Sequence, residues 1–190
     1  MTIQKDRTDK RGNYDILFKH VGNQKIRTAI DVGAWWGPWS LTWQPYAKKI
    51  EIFEPNTNII PMLENNISKF KNCTLHKIAL GGEAGKVSMN TEYHSGTNHV
   101  TDFDGDIDLR TLDSFKFTDV DVIKIDVEGF EIQVLKGAEQ TIKKCKPIIQ
   151  IEANSAGKRY GVDKKDILNL LTELGMRRIE KRWPDQVWIF

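Results

Sequence analysis

Short runs that are apolar on both faces alternate along the chain with longer stretches whose apolar residues recur every three or four positions. The short runs predict strands at Thr28–Val32, Lys49–Phe53, Thr74–Ile78, Val122–Asp126 and Pro147–Glu152. Burial on both faces is the mark of a parallel sheet covered on two sides. The periodic stretches predict helices. Asn58–Phe70 sets Ile59, Met62, Leu63, Ile67 and Phe70 along one stripe, with Pro61 in the first turn, where a missing N–H costs little. Phe130–Cys145 repeats Ile132, Leu135, Ala138, Ile142 and Cys145 at helical spacing. Asp163–Leu174 opens on a capping aspartate and stops at Gly175.

Alternation of this kind predicts an α/β fold, a doubly wound, mostly parallel sheet. The end of the chain breaks the rhythm. Met176–Lys181 and Gln186–Phe190 flank the turn RWPD and read as an antiparallel hairpin. Residues 1–13 are polar and are expected to be a flexible segment, with 14–190 forming a single domain. Residues 88–112 exceed what a bare crossover needs, and their acids, Asp102, Asp104, Asp106 and Asp108, are expected to be solvated or at a hairpin edge.

Composition narrows the class. The chain has 190 residues, 39% hydrophobic and 28% charged, which suits one globular domain with a sizeable core. Its 28 basic and 26 acidic residues leave a net charge of +2, no footprint for a nucleic-acid binder. Cys73 and Cys145 have neither metal-ligand spacing nor a disulfide framework, and read as small reduced residues in or near the core. There is no apolar leader at the N-terminus and no run of membrane-spanning length, so a cytoplasmic location away from membranes is expected.

Ligands of such sheets bind beyond the carboxyl ends of the strands, where strand order reverses. The first strand runs into Asp31-Val32-Gly33-Ala34-Trp35-Trp36-Gly37-Pro38. A dinucleotide fingerprint would be G-x-G-x-x-G; here the spacing is G-x-x-x-G with a carboxylate, Asp31, expected to point into the crevice. That carboxylate would repel a phosphate and welcome an amine, which favours S-adenosylmethionine, a cofactor with an ammonium and no phosphate. Trp39 and Trp43 fall on a helix face with Trp36 and are expected to pack on the sheet, while Trp35 or Trp36 is placed to meet a sulfonium through a cation–π contact. Glu54 follows Gly33 by 21 residues, about where an acid grips ribose hydroxyls, and Pro55 offers a donor-free wall for an adenine. Ile78 and Ala79 are candidates for the same adenine slot. Asp126 and Glu128 sit at the tip of the fourth strand, and Glu152 at that of the fifth. Carboxylates held together at a ligand-facing edge point to a site. Three acids alone call for no metal, and none is expected. His94 and His99 are secondary candidates for a base.

DVGAWWGPWSL, EIFEPN, HKIALGGEAG, TLDSF and IKIDVEGFEIQVLKGA, in this order, resemble the FkbM family of S-adenosylmethionine-dependent methyltransferases over roughly residues 29–153. The resemblance implies a class I methyltransferase fold, Rossmann-like, and O-methylation of a hydroxyl on a sugar, glycan or related natural product. It puts Asp31, Gly33, Gly37 and Glu54 on cofactor positions, and Asp126 and Glu128 on the motif beside methyl donor and acceptor. Trp35 stands where the family loop, DVGAN-x-G, carries asparagine.

The expected activity is methyl transfer to an oxygen, with Asp126 and Glu128 orienting the acceptor and taking its proton and Glu152 behind them. The cofactor is expected to contact Asp31, Gly33, Ala34, Trp35, Trp36, Gly37, Glu54, Pro55, Ile78, Ala79 and Asp126. Residues 88–112 and 153–162, or a second subunit of a homodimer, are expected to complete the pocket. Two rivals remain at this stage: a nicotinamide-dependent oxidoreductase, and a cofactor-binding or interaction protein without catalysis.

Overall fold

A computed structural model describes residues 13–22, 25–90 and 98–190. In chain order the elements are α1 (Phe18–Val21), β1 (Ile26–Val32), α2 (Pro38–Trp43), β2 (Ala47–Phe53), α3 (Ile60–Ile67) and β3 (Cys73–His76). Next come β4 (Ala79–Leu80), β5 (Gly85–Met89), β6 (Val100–Arg110) and β7 (Val120–Ile125). The remainder is α4 (Glu131–Lys136), α5 (Glu139–Cys145), β8 (Ile148–Glu152), α6 (Lys164–Glu173), β9 (Arg177–Arg182) and β10 (Asp185–Ile189).

Seven strands form one sheet in the order β3-β2-β1-β7-β8-β10-β9. β3, β2, β1, β7 and β8 run parallel, while β10 lies antiparallel between β8 and β9. This is the class I methyltransferase arrangement, with the C-terminal hairpin that the sequence predicts. Strand order reverses at β1, so a crevice opens beyond the carboxyl ends of β1, β2 and β7. Both faces are covered. One carries α2, α3 and the turn before α1, with Ile16, Leu17, Trp39 and Trp43 fully buried. The other carries α4, α5 and α6 on Ile123, Ile125, Ile149 and Ile151.

The paired tryptophans of α2 belong to this packing. The Trp39 and Trp43 rings stack with centroids 5.5 Å apart. Trp39 Nε1 donates to Gln150 Oε1 at 3.0 Å, and Trp43 Nε1 to the Tyr14 carbonyl at 2.9 Å. Buried indoles thus find partners for their single donor. Trp36 departs from the expectation: α2 begins at Pro38, and Trp36 lies in the loop before it.

Three other elements differ from the pattern read in the sequence. The stretch expected as one helix over 130–145 breaks into α4 and α5. Asp113, from the TLDSF motif, accepts from the backbone N–H groups of Gln140 and Thr141 at 2.9 and 2.8 Å and so caps α5. β3 stops at His76, leaving Ile78 outside any strand. Ala79–Leu80 then turn into a separate three-stranded sheet, β4-β6-β5, built from the long segment between β3 and β7. In β6, Asp102, Asp104, Asp106 and Asp108 are exposed, as solvated acids should be.

Of the expected flexible segment, residues 1–12 lie outside the described residues, as does His94. Asn13 is pinned: its Nδ2 donates to Asp185 Oδ2 at 2.8 Å and to the Arg182 carbonyl at 2.9 Å. Cys73 and Cys145 are free and partly buried. Among the described residues no helix is long and apolar enough to cross a membrane.

Candidate active site

The crevice encloses about 840 Å³, part of it open to solvent. Its floor is the loop after β1, with Gly33, Ala34 and Trp35. Glu54 and Pro55 follow from β2, and Ile78, Ala79 and Leu80 from the approach to the small sheet. Opposite stand Asp126, Val127 and Glu128 from the tip of β7, with Phe130 behind them. Met89 and Val100 from the small sheet, His99 just before β6, and Tyr14 ahead of α1 complete the wall.

The loop after β1 is wound tightly, and four of its amides are used internally. Gly33 N–H and Ala34 N–H both donate to the Phe53 carbonyl, at 3.0 and 3.3 Å. Trp35 N–H donates to Glu54 Oε2 at 2.7 Å, and Gly37 N–H to the Ala34 carbonyl at 2.8 Å. A pyrophosphate cradle needs such amides free. Gly33 is there because its hydrogen faces the backbone of β7, and Gly37 because it takes a left-handed φ of 94° beside Leu63. Neither glycine opens a path to a phosphate, which argues against the nicotinamide reading.

Glu54 lines the crevice and clamps two loops. Its Oε1 accepts from Asn56 N–H at 2.9 Å while Oε2 holds Trp35. Burial pushes its carboxyl up to about 7, against the pull of those two amides. Each oxygen keeps a second lone pair for a hydroxyl.

Asp31 does not point into the crevice. It is wholly buried beneath the loop, where Ser40 Oγ donates to its Oδ2 at 2.6 Å. Its other oxygen has Lys124 Nζ at 3.6 Å and no hydrogen bond. The expected amine partner is therefore supplied by the protein itself. Lys124, unremarked in the sequence, also donates to the Gly33 carbonyl at 3.1 Å and meets Asp126 Oδ2 at 3.2 Å. Burial lowers its proton affinity, but the charges of Asp126, Asp31 and Asp185 more than restore it, and it stays an ammonium. Burial raises Asp31 in spite of Lys124 and Ser40.

Asp126, Glu128 and Glu152 bring one oxygen each within 4.8 Å of the others. A shared proton accommodates that crowding. Burial and then the charge of Asp126 push Glu152 up to about 10, so the proton resides on Glu152. Asp126 is partly desolvated, yet Lys124 and the hydrogen bond with Glu152 hold it below the usual carboxylate range. Burial, followed by the charges of Asp126 and Glu131, lifts Glu128 to about 7. Asp126 and Glu128 line the crevice; Glu152 does not, and its Oε1 accepts from Asn154 Nδ2 at 2.9 Å.

Glu128 owes its aim to a residue not singled out as a site candidate. It holds φ 54° and is followed by Gly129 at φ 108°. Buried Glu131 keeps this turn in place, its Oε1 accepting from Val127 N–H at 3.2 Å and Gly129 N–H at 3.0 Å. Gly129 must lack a side chain, because a Cβ would lie 2.7 Å from the Ala156 carbonyl.

Residues 20–178 match the model of the methyltransferase FkbM domain. The chain belongs to that family. Hexuronic acid methyltransferase AglP of Haloferax volcanii is 27% identical over 130 residues, 64% of this chain and 52% of that protein. The chain thus spans about half the length of the curated relative that it matches. A solved FkbM methyltransferase from Methylobacillus flagellatus superposes with a TM-score of 0.62 at 19% identity, covering 87% of this chain and 44% of the other. The N-methyltransferase NodS of Bradyrhizobium japonicum, solved with S-adenosylhomocysteine, gives 0.55 at 10% identity, with 97% and 87% covered. At such identities the likeness is one of fold.

Within the FkbM chain the crevice brings together Gly33, Ala34, Trp35, Glu54, Pro55, Ile78, Ala79, Asp126 and Glu128 of the expected set. Trp36 and Gly37 are turned elsewhere: the Trp36 carbonyl accepts from Asn66 Nδ2 at 2.8 Å, and Gly37 packs on α3. Residues 88–112 supply wall as expected, through Met89, Asn98, His99 and Val100, whereas none of 153–162 lines the crevice. Tyr14 and Lys124 were missed. The internal lysine of VIKIDVEG was the available signal, since a charge inside a doubly covered strand needs a partner.

Proposed function

We propose that this FkbM chain uses S-adenosylmethionine to methylate a hydroxyl of a sugar, glycan or related natural product. The observation that carries the reading is the crevice at the sheet's reversal point: loop amides closed to phosphate, apolar walls at Pro55, Ile78 and Leu80, and acids on the opposite lip. These residues fit an adenosine with a cationic tail. Pro55, Ile78 and Leu80 would hold the adenine, Glu54 the ribose hydroxyls, and the carboxylates around Lys124 the charged end. S-adenosylmethionine, when bound, supplies an electrophilic methyl group.

The chain's own work is alignment and deprotonation. Asp126, kept ionised by Lys124, orients the acceptor hydroxyl. Glu128 at the mouth accepts its proton; a carboxyl near neutrality is well matched to that task. Glu152, already protonated, keeps a second negative charge away from Asp126. Wall residues from the small sheet exclude water.

Transfer of a labelled methyl group into a panel of saccharides tests this directly. Wild-type protein is expected to label a sugar oxygen, and Glu128→Gln to lose on the order of 10²–10⁴-fold in kcat, the range for general base catalysis, with S-adenosylhomocysteine affinity retained. Labelling of nitrogen only, or unchanged turnover in Glu128→Gln, overturns the assignment.

A further inference from the structure

The turn between β9 and β10 lies at the same sheet edge as the crevice. Asp185 is registered opposite Glu152, and Ala153 N–H donates to the Pro184 carbonyl at 3.2 Å. At this turn Trp183 is 64% exposed, with indole surface open to a ligand. It is also held: Lys164 Nζ sits 4.7 Å from the ring centroid. Lys181 and Arg178 are near enough to lower the proton affinity of Lys164, after burial. None of these three cations has a carboxylate partner among the described residues. The nearby acids Asp163 and Asp166 are occupied in capping α6. Arg159, on the turn before α6, is near enough to Glu128 for its charge to act there. Like charges gathered beside an exposed indole repel one another until an anion joins them.

We propose that Trp183, Lys164, Lys181 and Arg178 form a subsite for the extension of an acidic saccharide, whose terminal unit enters the crevice. An indole face suits the C–H face of a sugar ring, and the ammonium and guanidinium groups suit carboxylates at regular spacing. This rests on the saccharide reading above, but it is measured separately.

The indole N–H resonance of Trp183, assigned with Trp183→Phe, is followed while a uronic acid tetrasaccharide is added to the full chain. A neutral tetrasaccharide, a short single-stranded oligonucleotide and anionic vesicles serve as comparisons. The uronate is expected to shift that resonance in a saturable way. Lys164→Gln/Lys181→Gln is expected to weaken it at least tenfold, with S-adenosylhomocysteine affinity unchanged. Equal response to the neutral sugar, preference for the oligonucleotide or vesicles, no shift, or no loss in the double variant each overturn the subsite. Methyl transfer to a short sugar that persists alongside such a result leaves the activity standing and removes the subsite alone. Saturable uronate binding without methyl transfer does the reverse.

Discussion

A Cβ placed on Gly33 would lie 1.9 Å from the backbone oxygen of Asp126. The loop after β1 and the tip of β7 therefore touch backbone to backbone, and the two halves of the crevice are fixed against each other. Gly33 also holds φ 77°, so any side chain adds conformational strain to the clash. Gly33→Ala is expected to lose roughly 1–3 kcal/mol from strain alone. Thermal unfolding should show the loss, and calorimetry with S-adenosylhomocysteine should show weakened binding. An unaltered melting temperature would mean that the strands part easily there.

Lys124 ties the same two halves by charge. Removing one member of a buried ion group leaves the others uncompensated, at a typical cost of ~3–5 kcal/mol. Lys124→Met is expected to destabilise by about that amount in urea unfolding. Adding Asp31→Asn should recover part of the loss, because Asp31 is the wholly buried partner. Strict additivity of the two substitutions would sever the proposed coupling.

Stability should fall as pH rises through neutrality. Glu54 and Glu131 ordinarily titrate at 4.5, and burial lifts both to about 7 in the folded protein. Between those values the folded chain binds protons that the unfolded chain has released. A raised group contributes stability below its unfolded value and loses it as pH climbs through the folded one. Glu128, lifted to about 7, Glu152, lifted to about 10, and Asp31 and Asp185, raised by burial, act in the same sense. Melting temperatures are thus expected to decline between about pH 5 and pH 8, and Glu54→Gln/Glu131→Gln should lessen the decline, Glu128 and Glu152 keeping the rest. A rise over this interval contradicts the assignment.

Trp35 carries a left-handed φ of 53° in the loop and lines the crevice. Asparagine tolerates that backbone far better than an indole does, which accounts for its use at this position in the family pattern. Trp35→Asn is expected to raise stability by about 1 kcal/mol through relief of strain. If the indole meets a sulfonium, the same change should weaken S-adenosylmethionine by ~0.5–2 kcal/mol and S-adenosylhomocysteine, which has no cation, much less. Equal effects on both ligands would remove the cation–π contact.

The frame was legible because its signals are local. Doubly apolar strands, the helical stripe at Ile59–Ile67 and the capping Asp163 each announce themselves within a few residues. That Glu54, Asp126 and Glu128 line the crevice was legible from their places at strand tips, where this topology opens it. What escaped depends on partners far along the chain. Asp31 looked available until Lys124, 93 positions later, was seen to claim it. The break at Gly137 goes with Asp113 capping a new helix, and Tyr14, its carbonyl held by Trp43, reaches the crevice from far earlier in the chain. The β4-β6-β5 sheet hid because β6 is polar along most of its length, so no apolar alternation revealed it.

That small sheet shares no ladder with the seven-stranded one, yet supplies Met89 and Val100 to the crevice, with His99 just ahead of β6. The two are joined through buried side chains, Leu80 in the main core and Phe130 against the small sheet. The outer strands of the wall can thus be redecorated without breaking a single hydrogen-bonded rung of the larger sheet.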